Sequence, residues 1–184
     1  MKKISTVKQC LLATTLVGAT AAANAGGIGF RFGDDIFGLS VAGDLNSQTS
    51  AQVDWLHHDD DADLLTAGLF ANGSRGSVQG RLGAKVVGFT ADDPDFDGGA
   101  LALGGDVSLP LNDVLRLRGG LYLAPDVTSF NDVKEYQEWN AGVEVAVFQN
   151  SALQFGYSYI ELEAEGGGEL EFEDGVFVRM QLRL

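Results

Sequence analysis

The chain has 184 residues, of which 45% are hydrophobic, and a formal net charge of −14. A disordered tail would contain fewer apolar residues, so the composition indicates a folded domain of ordinary size. Its 25 glycines against 3 prolines argue against a protein built from long helices, because glycine destabilises helix interiors. The acidic balance excludes nucleic acid as an expected partner, since phosphate contacts require clustered Lys and Arg side chains.

Residues 1–25 have the organisation of a cleaved secretory signal peptide. A basic start and an uncharged run precede Ala23-Asn24-Ala25, which is a small-x-small cleavage site. The run is too short for a transmembrane helix, which needs about 20 apolar residues. Cys10 is the only cysteine and lies within this segment. The mature chain, residues 26–184, is therefore expected to be a single domain without disulfides or thiolate metal sites.

After residue 25 the sequence alternates with a period of two, which is typical of β-strands. In the last segment, for example, Val176, Val178 and Met180 alternate with Phe177 and Arg179. The turn signals predict ten strands, and eight is the alternative because the first segment is short. The predicted strands lie near residues 28–33, 36–45, 51–58, 64–72, 77–91, 98–109, 114–124, 136–148, 152–164 and 169–184.

The connections between these segments fall into two classes that alternate strictly along the chain. The short, lightly charged class comprises residues 46–50, 72–76, 110–113 and 149–151. The acidic and mostly longer class comprises residues 57–63, 92–98, 125–138 and 161–174. Alternate connections of an up-and-down meander lie at opposite ends, so the two ends should differ in character. Short turns at one end and long loops at the other are typical of outer-membrane barrels.

The side chains of each segment separate into an apolar face and a mixed face. Besides most of the basic residues, the mixed face carries four strand acids: Asp44, Asp54, Asp106 and Glu144. A soluble β-sandwich would show the same alternation. Its edge strands, however, usually carry charged residues that prevent pairing with other chains. Here Leu- and Val-rich faces recur in nearly every segment, which favours a membrane barrel. Four aromatic residues on the apolar faces suit an interfacial girdle: Trp55, Trp139, Tyr157 and Tyr159. We therefore predict an all-β, small up-and-down antiparallel transmembrane β-barrel of eight to ten strands.

The two ends of the mature chain carry further signals. It begins Gly26-Gly27-Ile28-Gly29-Phe30, and the segment 173–180 has the polar-x-Gly-x-x-apolar-x-apolar pattern of a barrel sorting signal. The final strand departs from that pattern by continuing for four residues and ending at Leu184 instead of an aromatic residue. Together with the signal peptide and the acidic connections, these ends resemble the YfaZ family of small bacterial outer-membrane proteins over the whole chain. The resemblance implies location and fold and says little about activity.

Charged side chains on the mixed face are predicted to form a network in the lumen. The tight turn after strand 98–109 should bring Asp106 diagonally near Arg116 and Arg118, with Glu144 on the next strand. A barrel of this size is only just wide enough for side chains to fill. We expect a plug of ion pairs or, alternatively, a narrow, gated or ion-selective pore. The expected network comprises Arg81, Lys85, Asp106, Arg116, Arg118, Glu144, Arg179 and Arg183.

Carboxylate clusters in the acidic connections are candidates for weak binding of Ca²⁺ or Mg²⁺, which prefer oxygen ligands. Their spacing departs from that of a Ca²⁺-binding loop, so solvated loops are the simpler interpretation. A further group of glutamates surrounds Gly166–Gly168. The candidate ion-binding residues are Asp59, Asp60, Asp61, Asp63, Asp92, Asp93, Asp95 and Asp97.

His57 and His58, the only two histidines, adjoin the first acidic cluster. Neighbouring residues of a strand point to opposite faces, so only one of the two can face a given site. Neither a G-x-S-x-G nor an H-E-x-x-H motif occurs in the chain. A surface hydrolase acting on lipid or peptide is therefore kept only as an alternative.

The main prediction is a Gram-negative outer-membrane β-barrel with a structural or narrow porin-like role, no enzymatic activity and no cofactor. Its expected partners are outer-membrane lipid and lipopolysaccharide, the outer-membrane insertion machinery and divalent cations. The second alternative is a soluble periplasmic β-barrel that binds an apolar ligand, in which the Leu and Val faces would line the interior.

Overall fold

A closed antiparallel barrel of ten long strands is formed in the computed structural model, which describes residues 26–92, 95–164 and 166–184. The predicted signal peptide and Cys10 lie outside the described residues. The strands are β1 (Gly27–Phe32), β2 (Ile36–Asn46), β3 (Thr49–His58), β4 (Ala62–Arg75), β5 (Val78–Asp92), β6 (Asp95–Pro110), β7 (Leu115–Ala124), the short β8 (Ser129–Asn131), β9 (Val133–Phe148), β10 (Ser151–Ala164) and β11 (Glu169–Arg183).

Each long strand is hydrogen-bonded to its neighbours in the chain, and β1 closes the barrel by pairing with β11. The register at this seam runs from Gly27 opposite Arg183 to Phe32 opposite Val178. Every predicted segment corresponds to one long strand, so the all-β barrel with ten strands is confirmed and the eight-stranded alternative is wrong. Among the described residues, no helix is long and apolar enough to cross a membrane.

The two ends of the barrel differ as the connections predict. One end, called the turn end below, carries Gly26, Leu184 and the connections 47–48, 76–77, 111–114 and 149–150. The opposite end, called the acidic end, carries the connections 33–35, 59–61 and 125–132, the β5–β6 hairpin and the β10–β11 hairpin.

The connections of the acidic end are shorter than the sequence predicts. Strand β4 begins at Ala62, β6 at Asp95 and β9 at Val133, so residues that the composition assigned to loops continue the antiparallel ladders. Charged side chains do not interrupt a ladder, because each strand's backbone groups pair with the neighbouring strand. The exception joins β7 to β9 through a 3₁₀ turn at Asp126–Thr128 and the short β8, which pairs with β6.

The apolar face of each strand points outward. Leu82 is 73% exposed, and Leu69, Leu103 and Val176 are similarly uncovered, so the outer wall presents large aliphatic side chains to its surroundings. The interior differs along the barrel axis. Towards the acidic end it is filled by an apolar layer that includes Ile36, Leu56, Leu64, Phe89, Ile160, Leu162 and Phe172. The charged mixed face occupies mainly the remaining length, because the inward-facing residues become apolar near the acidic end of most strands.

Candidate functional site: the barrel lumen

An ion pair in the lumen joins β5 to β9, two strands that are separated by β6 and β7. Nζ of Lys85 on β5 lies 2.8 Å from Oε2 of Glu138 on β9, and the two side chains are 6% and 12% exposed. The hydroxyl of Tyr136 donates a 2.7 Å hydrogen bond to the same carboxylate oxygen. Because a buried charge without a partner is costly, Lys85 and Glu138 depend on each other.

A second ion pair lies on the same wall as Lys85. Nε of Arg81 is 2.6 Å from Oδ2 of Asp106, and the Tyr122 hydroxyl donates to that oxygen at 2.5 Å. Asp106 thus contacts Arg81 and Tyr122 and forms no ion pair with Arg116 or Arg118. The register explains this choice, since Arg81 stands directly opposite Asp106 in the β5–β6 pairing.

The carboxylate of Glu144 lies between two arginines of the neighbouring strand β7. Its Oε1 is 3.1 Å from Nη1 of Arg116, and its Oε2 is 2.6 Å from Nε of Arg118. The second approach lacks hydrogen-bond geometry, so it acts as a charge contact. The Glu144 side chain is only 1% exposed. One carboxylate against two guanidinium groups leaves this part of the wall positively charged.

A fourth pair closes the seam between β1 and β11. Nη2 of Arg31 lies 2.5 Å from Oε1 of Glu173, and both side chains are buried. The β10–β11 register shifts between Ile160 and Glu161, which marks a β-bulge on β11. A bulge lets two successive residues point the same way, so Phe172 and Glu173 both face inward.

Across the seam runs one continuous row of directly opposed inward positions. From β7 through β9, β10 and β11 to β1, its members are Arg116, Glu144, Gln154, Arg179 and Arg31. The guanidinium carbons of Arg31 and Arg179 lie 4.3 Å and 5.6 Å from the centre of the Phe177 ring. Arg179, unlike Arg31, has no ion-pair partner within the described residues, and the same holds for Arg183 near the C-terminus.

Two glycines allow the aromatic rings beneath the ion pairs to meet. Phe70, Gly83, Gly104 and Tyr122 are directly opposed on the adjacent strands β4 to β7. The rings of Phe70 and Tyr122 contact each other over the two glycines, with centroids 6.2 Å apart. Arg81 lies over the first ring at 4.2 Å, and the Lys85 ammonium lies 3.6 Å from the centre of the second. The two rings therefore stabilise the charges of Arg81 and Lys85 through cation–π contacts.

Two cavities of different size meet at the charged layer. A small one of about 40 Å³ lies among the ion pairs and is bounded towards the acidic end by apolar side chains such as Leu56, Leu64 and Ile160. The larger one, called the vestibule below, has a volume of about 910 Å³ and reaches the turn end, because residues of the turns and termini line it. Arg179 and Asp106 line both cavities and so stand at their boundary.

Residues 1–184 of the chain match the sequence model of the family described as YfaZ precursor. The chain belongs to the YfaZ family. It is 30% identical over 152 residues to "Outer membrane protein YfaZ" of Escherichia coli (strain K12), a match that covers 82% of this chain and 78% of that protein. The predicted resemblance and the predicted outer-membrane location are therefore confirmed. The soluble periplasmic alternative is wrong, since the Leu and Val faces form the outer wall of the barrel.

Two solved porin structures are among the proteins to which this YfaZ-family chain is similar. The "NanC porin" is 8% identical, with 88% of this chain and 99% of that chain covered and a TM-score of 0.46. The "anion-selective porin from Comamonas acidovorans" is 15% identical, with 80% of this chain covered and a TM-score of 0.39. The YfaZ-family chain spans about half the length of that second porin, of which 47% is covered.

At the acidic end of this YfaZ-family barrel, the candidate ion-binding carboxylates are dispersed. Asp59, Asp60 and Asp61 form the β3–β4 turn, whereas Asp63 lies in β4 and Asp97 in β6. The predicted residue Asp93 lies outside the described residues, and nothing is described of the side chains of two others, Asp92 and Asp95. Within the described residues, no group of three or more His, Cys, Asp or Glu side chains is arranged to hold a metal ion.

One cation of the acidic end is paired outside the lumen. Nζ of Lys134 lies 2.5 Å from Oε1 of Glu163, and this hydrogen bond raises the pKa of the Lys134 ammonium. Both side chains are partly exposed, so the pair resembles an ordinary surface ion pair.

The two histidines point to opposite sides of the wall, as the alternation requires. His57 stacks on Trp55 at 6.0 Å between ring centres, and its Nδ1 lies 3.0 Å from Oδ1 of Asp63 on the outer face. His58 instead contacts Phe172 of the apolar layer in the interior. The two rings therefore do not share a site.

The predicted aromatic residues lie on the outer wall towards the acidic end. Trp139 stacks on Tyr157 and Tyr159, with ring centres 5.7 Å and 6.1 Å apart. The hydroxyls of these tyrosines donate hydrogen bonds to Asp174 and Glu161, respectively. Rings against the apolar wall with hydroxyls turned towards polar groups are typical of a membrane–water interface.

Four charged residues of the lumen are absent from the predicted network: Arg31, Asp54, Glu138 and Glu173. The sequence contained a signal for Glu138, because it lies an even number of residues from Glu144 along β9 and so faces the same side of the strand. The acidic composition around Glu138 instead indicated a loop. In the same way, Glu173 lies an even number of residues from Arg179 along β11 and faces the same side of that strand. The inward position of Phe172 had no signal, since a bulge changes the parity without changing the sequence pattern.

Proposed function

We propose that this outer-membrane barrel has a structural, non-enzymatic role and that its lumen is closed at rest. The observation that carries the proposal is the buried pair Lys85–Glu138, which lies inside the lumen next to an apolar layer. A hydrated ion would have to break that buried pair and then pass side chains such as Leu64 and Phe172, which offer no polar groups. Both steps are unfavourable. Breaking the pair leaves two buried charges without partners, and an ion in an apolar constriction loses its hydration without gaining polar ligands.

Planar-bilayer recording of the purified, folded protein tests this proposal. The wild type should insert without steady single-channel conductance. The variant Lys85→Ala/Glu138→Ala/Phe172→Ala removes the pair together with one phenylalanine ring of the apolar layer, and it should conduct. Leu82→Ala, which shortens a side chain on the outer wall, is the matched control and should stay silent. Steady conductance of the wild type would overturn the proposal.

A narrow porin-like pathway is the second candidate, and the vestibule favours it. Its volume of about 910 Å³ brings water from the turn end to the boundary formed by Arg179 and Asp106. Only the ion-pair layer and the apolar layer then separate the two sides of the membrane. In this case the wild type would conduct, and Arg116→Ala or Glu144→Ala would change the conductance.

We further propose that the acidic end faces the cell surface and the turn end faces the periplasm, since short turns are periplasmic in barrels of this class. The carboxylates of the acidic end would then lie near lipopolysaccharide phosphates, to which weakly bound divalent cations would bridge them. The bacterial insertion machinery is the proposed partner of the terminal strand β11 during assembly.

A hydrolytic activity finds less support in the site than these roles. Of the two histidines, His57 has the carboxylate of Asp63 beside it, but this pair lies on the outer wall next to Trp55. We therefore assign the pair an anchoring role at the membrane interface, in which Trp55 Nε1 also donates a hydrogen bond to Asp63.

A further inference from the structure

The vestibule carries an excess of positive charge in an otherwise acidic protein. The charged side chains that line it are Arg81, Arg118, Arg179 and Arg183 against Asp44 and Asp106. Asp106 is engaged by Arg81, and Asp44 lies exposed at the rim. Arg118 contacts the carboxylate of Glu144, but Arg116 contacts the same carboxylate, so one negative charge faces two positive ones. The net charge of −14 therefore resides elsewhere, and the vestibule wall formed by β7, β9, β10 and β11 is cationic.

Arg179 is the central cation of this wall. It lies between Gln154 and Arg31 in the row of opposed positions, and no carboxylate of the described residues forms an ion pair with it. Its neighbour Arg31 is neutralised by Glu173, and the acids of the small cavity, Asp54 and Glu138, have hydrogen-bond donors of their own. A half-buried guanidinium beside a second guanidinium is unfavourable unless an anion comes near.

A buried polar group beside Arg179 also lacks a partner. The side chain of Gln154 lines the vestibule and is only 2% exposed, yet its amide oxygen accepts no hydrogen bond. Buried amide groups are normally paired, so this position suits an additional ligand or a water molecule held with it. Gln154 and Arg179 stand directly opposite each other on adjacent strands.

We propose that the vestibule binds a small soluble oxyanion, a phosphate or carboxylate group, on the guanidinium of Arg179. The guanidinium donates paired hydrogen bonds to two oxygens of the anion, a geometry that this side chain provides and Lys does not. Gln154 completes the site through a bridging water, and Arg183 attracts the anion at the turn end. The cavity admits an anion several atoms larger than inorganic phosphate, since its volume is about 910 Å³.

The full mature barrel in detergent micelles allows a direct test by NMR of the arginine Nε–Hε resonances. Inorganic phosphate and succinate are titrated separately at constant ionic strength, because the two probes distinguish tetrahedral from planar oxyanions. We expect a saturable shift of the Arg179 resonance with at least one probe. Arg179→Gln should weaken the binding by about ten-fold or more, the effect of losing a charge-assisted hydrogen bond.

Two further variants make the result specific. Arg75→Gln removes an exposed charge on the β4–β5 hairpin at the same end of the barrel and outside the vestibule, so it should leave the affinity unchanged. Arg183→Gln, at the exposed rim, should weaken binding in a barrel whose lumen network is intact. Heat-dependent gel mobility verifies folding of each variant, and Arg183→Gln decides the matter where Arg179→Gln does not fold.

The proposal is overturned if neither probe gives a saturable shift in the wild type. It is also overturned if Arg75→Gln weakens the binding as much as the vestibule variants do, because the anion would then respond only to overall charge. The inference does not depend on whether the lumen conducts, since binding is measured without a membrane potential and conduction is measured separately.

Discussion

At the scale of single residues, the lumen shows how strongly buried charges depend on their partners. Lys85 and Glu138 come from strands that are not neighbours, β5 and β9, and both side chains are nearly enclosed. A carboxylate in that position without its ammonium retains only the hydrogen bond from Tyr136. The cost of separating such a pair exceeds what the pair contributes relative to an apolar replacement.

We therefore predict that Lys85→Met destabilises the barrel by roughly 3–5 kcal/mol. Adding Glu138→Gln should restore a large part of the loss, because the bare carboxylate is removed. Urea unfolding in lipid vesicles, followed by tryptophan fluorescence, measures both effects.

Lys134→Met is the matched control for this prediction, since its partner Glu163 is partly exposed at the acidic end. It should leave the unfolding midpoint almost unchanged. If Lys85→Met behaved like Lys134→Met, the lumen would be far more hydrated than the burial of Lys85 indicates.

At the scale of the strands, glycines determine where aromatic rings can cover the inner wall. A Cβ atom on Gly104 would lie 2.0 Å from the carbonyl oxygen of Leu121 and 2.7 Å from Cα of Tyr122. Contacts this short would force β6 away from β7 and lift Tyr122 from its place beside Asp106.

We expect Gly104→Ala to destabilise the barrel by about 1–3 kcal/mol, the usual cost of overpacking. Gly73→Ala provides the comparison, because a Cβ on Gly73 in β4 would meet nothing within 4 Å. The temperature at which the heat-dependent gel shift is lost should fall for the first variant only. Equal temperatures would mean that the two strands separate easily at Gly104.

The strands were the most predictable feature of the sequence, and the partners of the charges were the least. Alternation alone assigns Arg81, Lys85 and Asp106 to one face, and the structure places all three in the lumen. It cannot reveal that Lys85 meets Glu138, 53 residues away, because that contact depends on the tilt of the strands and the closure of the barrel.

The extent of the apolar layer was also outside the reach of sequence patterns. Leu64 and Phe172 occupy inward positions, yet their hydrophobicity is indistinguishable from that of the outer wall. The bulge on β11 further reverses the parity around Phe172. Acidic composition was misleading in the same region, since it indicated loops where the ladders continue.

For the molecule as a whole, the contrast between the two ends gives a test of its orientation. The only cysteine of the chain is Cys10, so in a Cys10→Ser background each new cysteine is a unique reporter. On intact cells, Asp60→Cys in the β3–β4 turn should react with a membrane-impermeant maleimide. Ser47→Cys in the β2–β3 turn should react only after the outer membrane is made permeable.

The reverse labelling pattern would mean that the acidic end faces the periplasm. In that case the vestibule would open to the cell surface, and the proposed contact of the acidic carboxylates with lipopolysaccharide would be excluded. The barrel fold and the lumen contacts would be unaffected, since they do not depend on orientation.

The buried pair between Arg31 and Glu173 also has a consequence for the fidelity of assembly. Strand β1 has only 6 residues, so its backbone hydrogen bonds alone would discriminate weakly between neighbouring registers. A slip of one residue at the seam would turn Arg31 outward into lipid, which costs roughly 2–4 kcal/mol near the bilayer centre, and would leave Glu173 buried alone. The pair between Arg31 and Glu173 is therefore expected to favour the correct register wherever β1 meets β11.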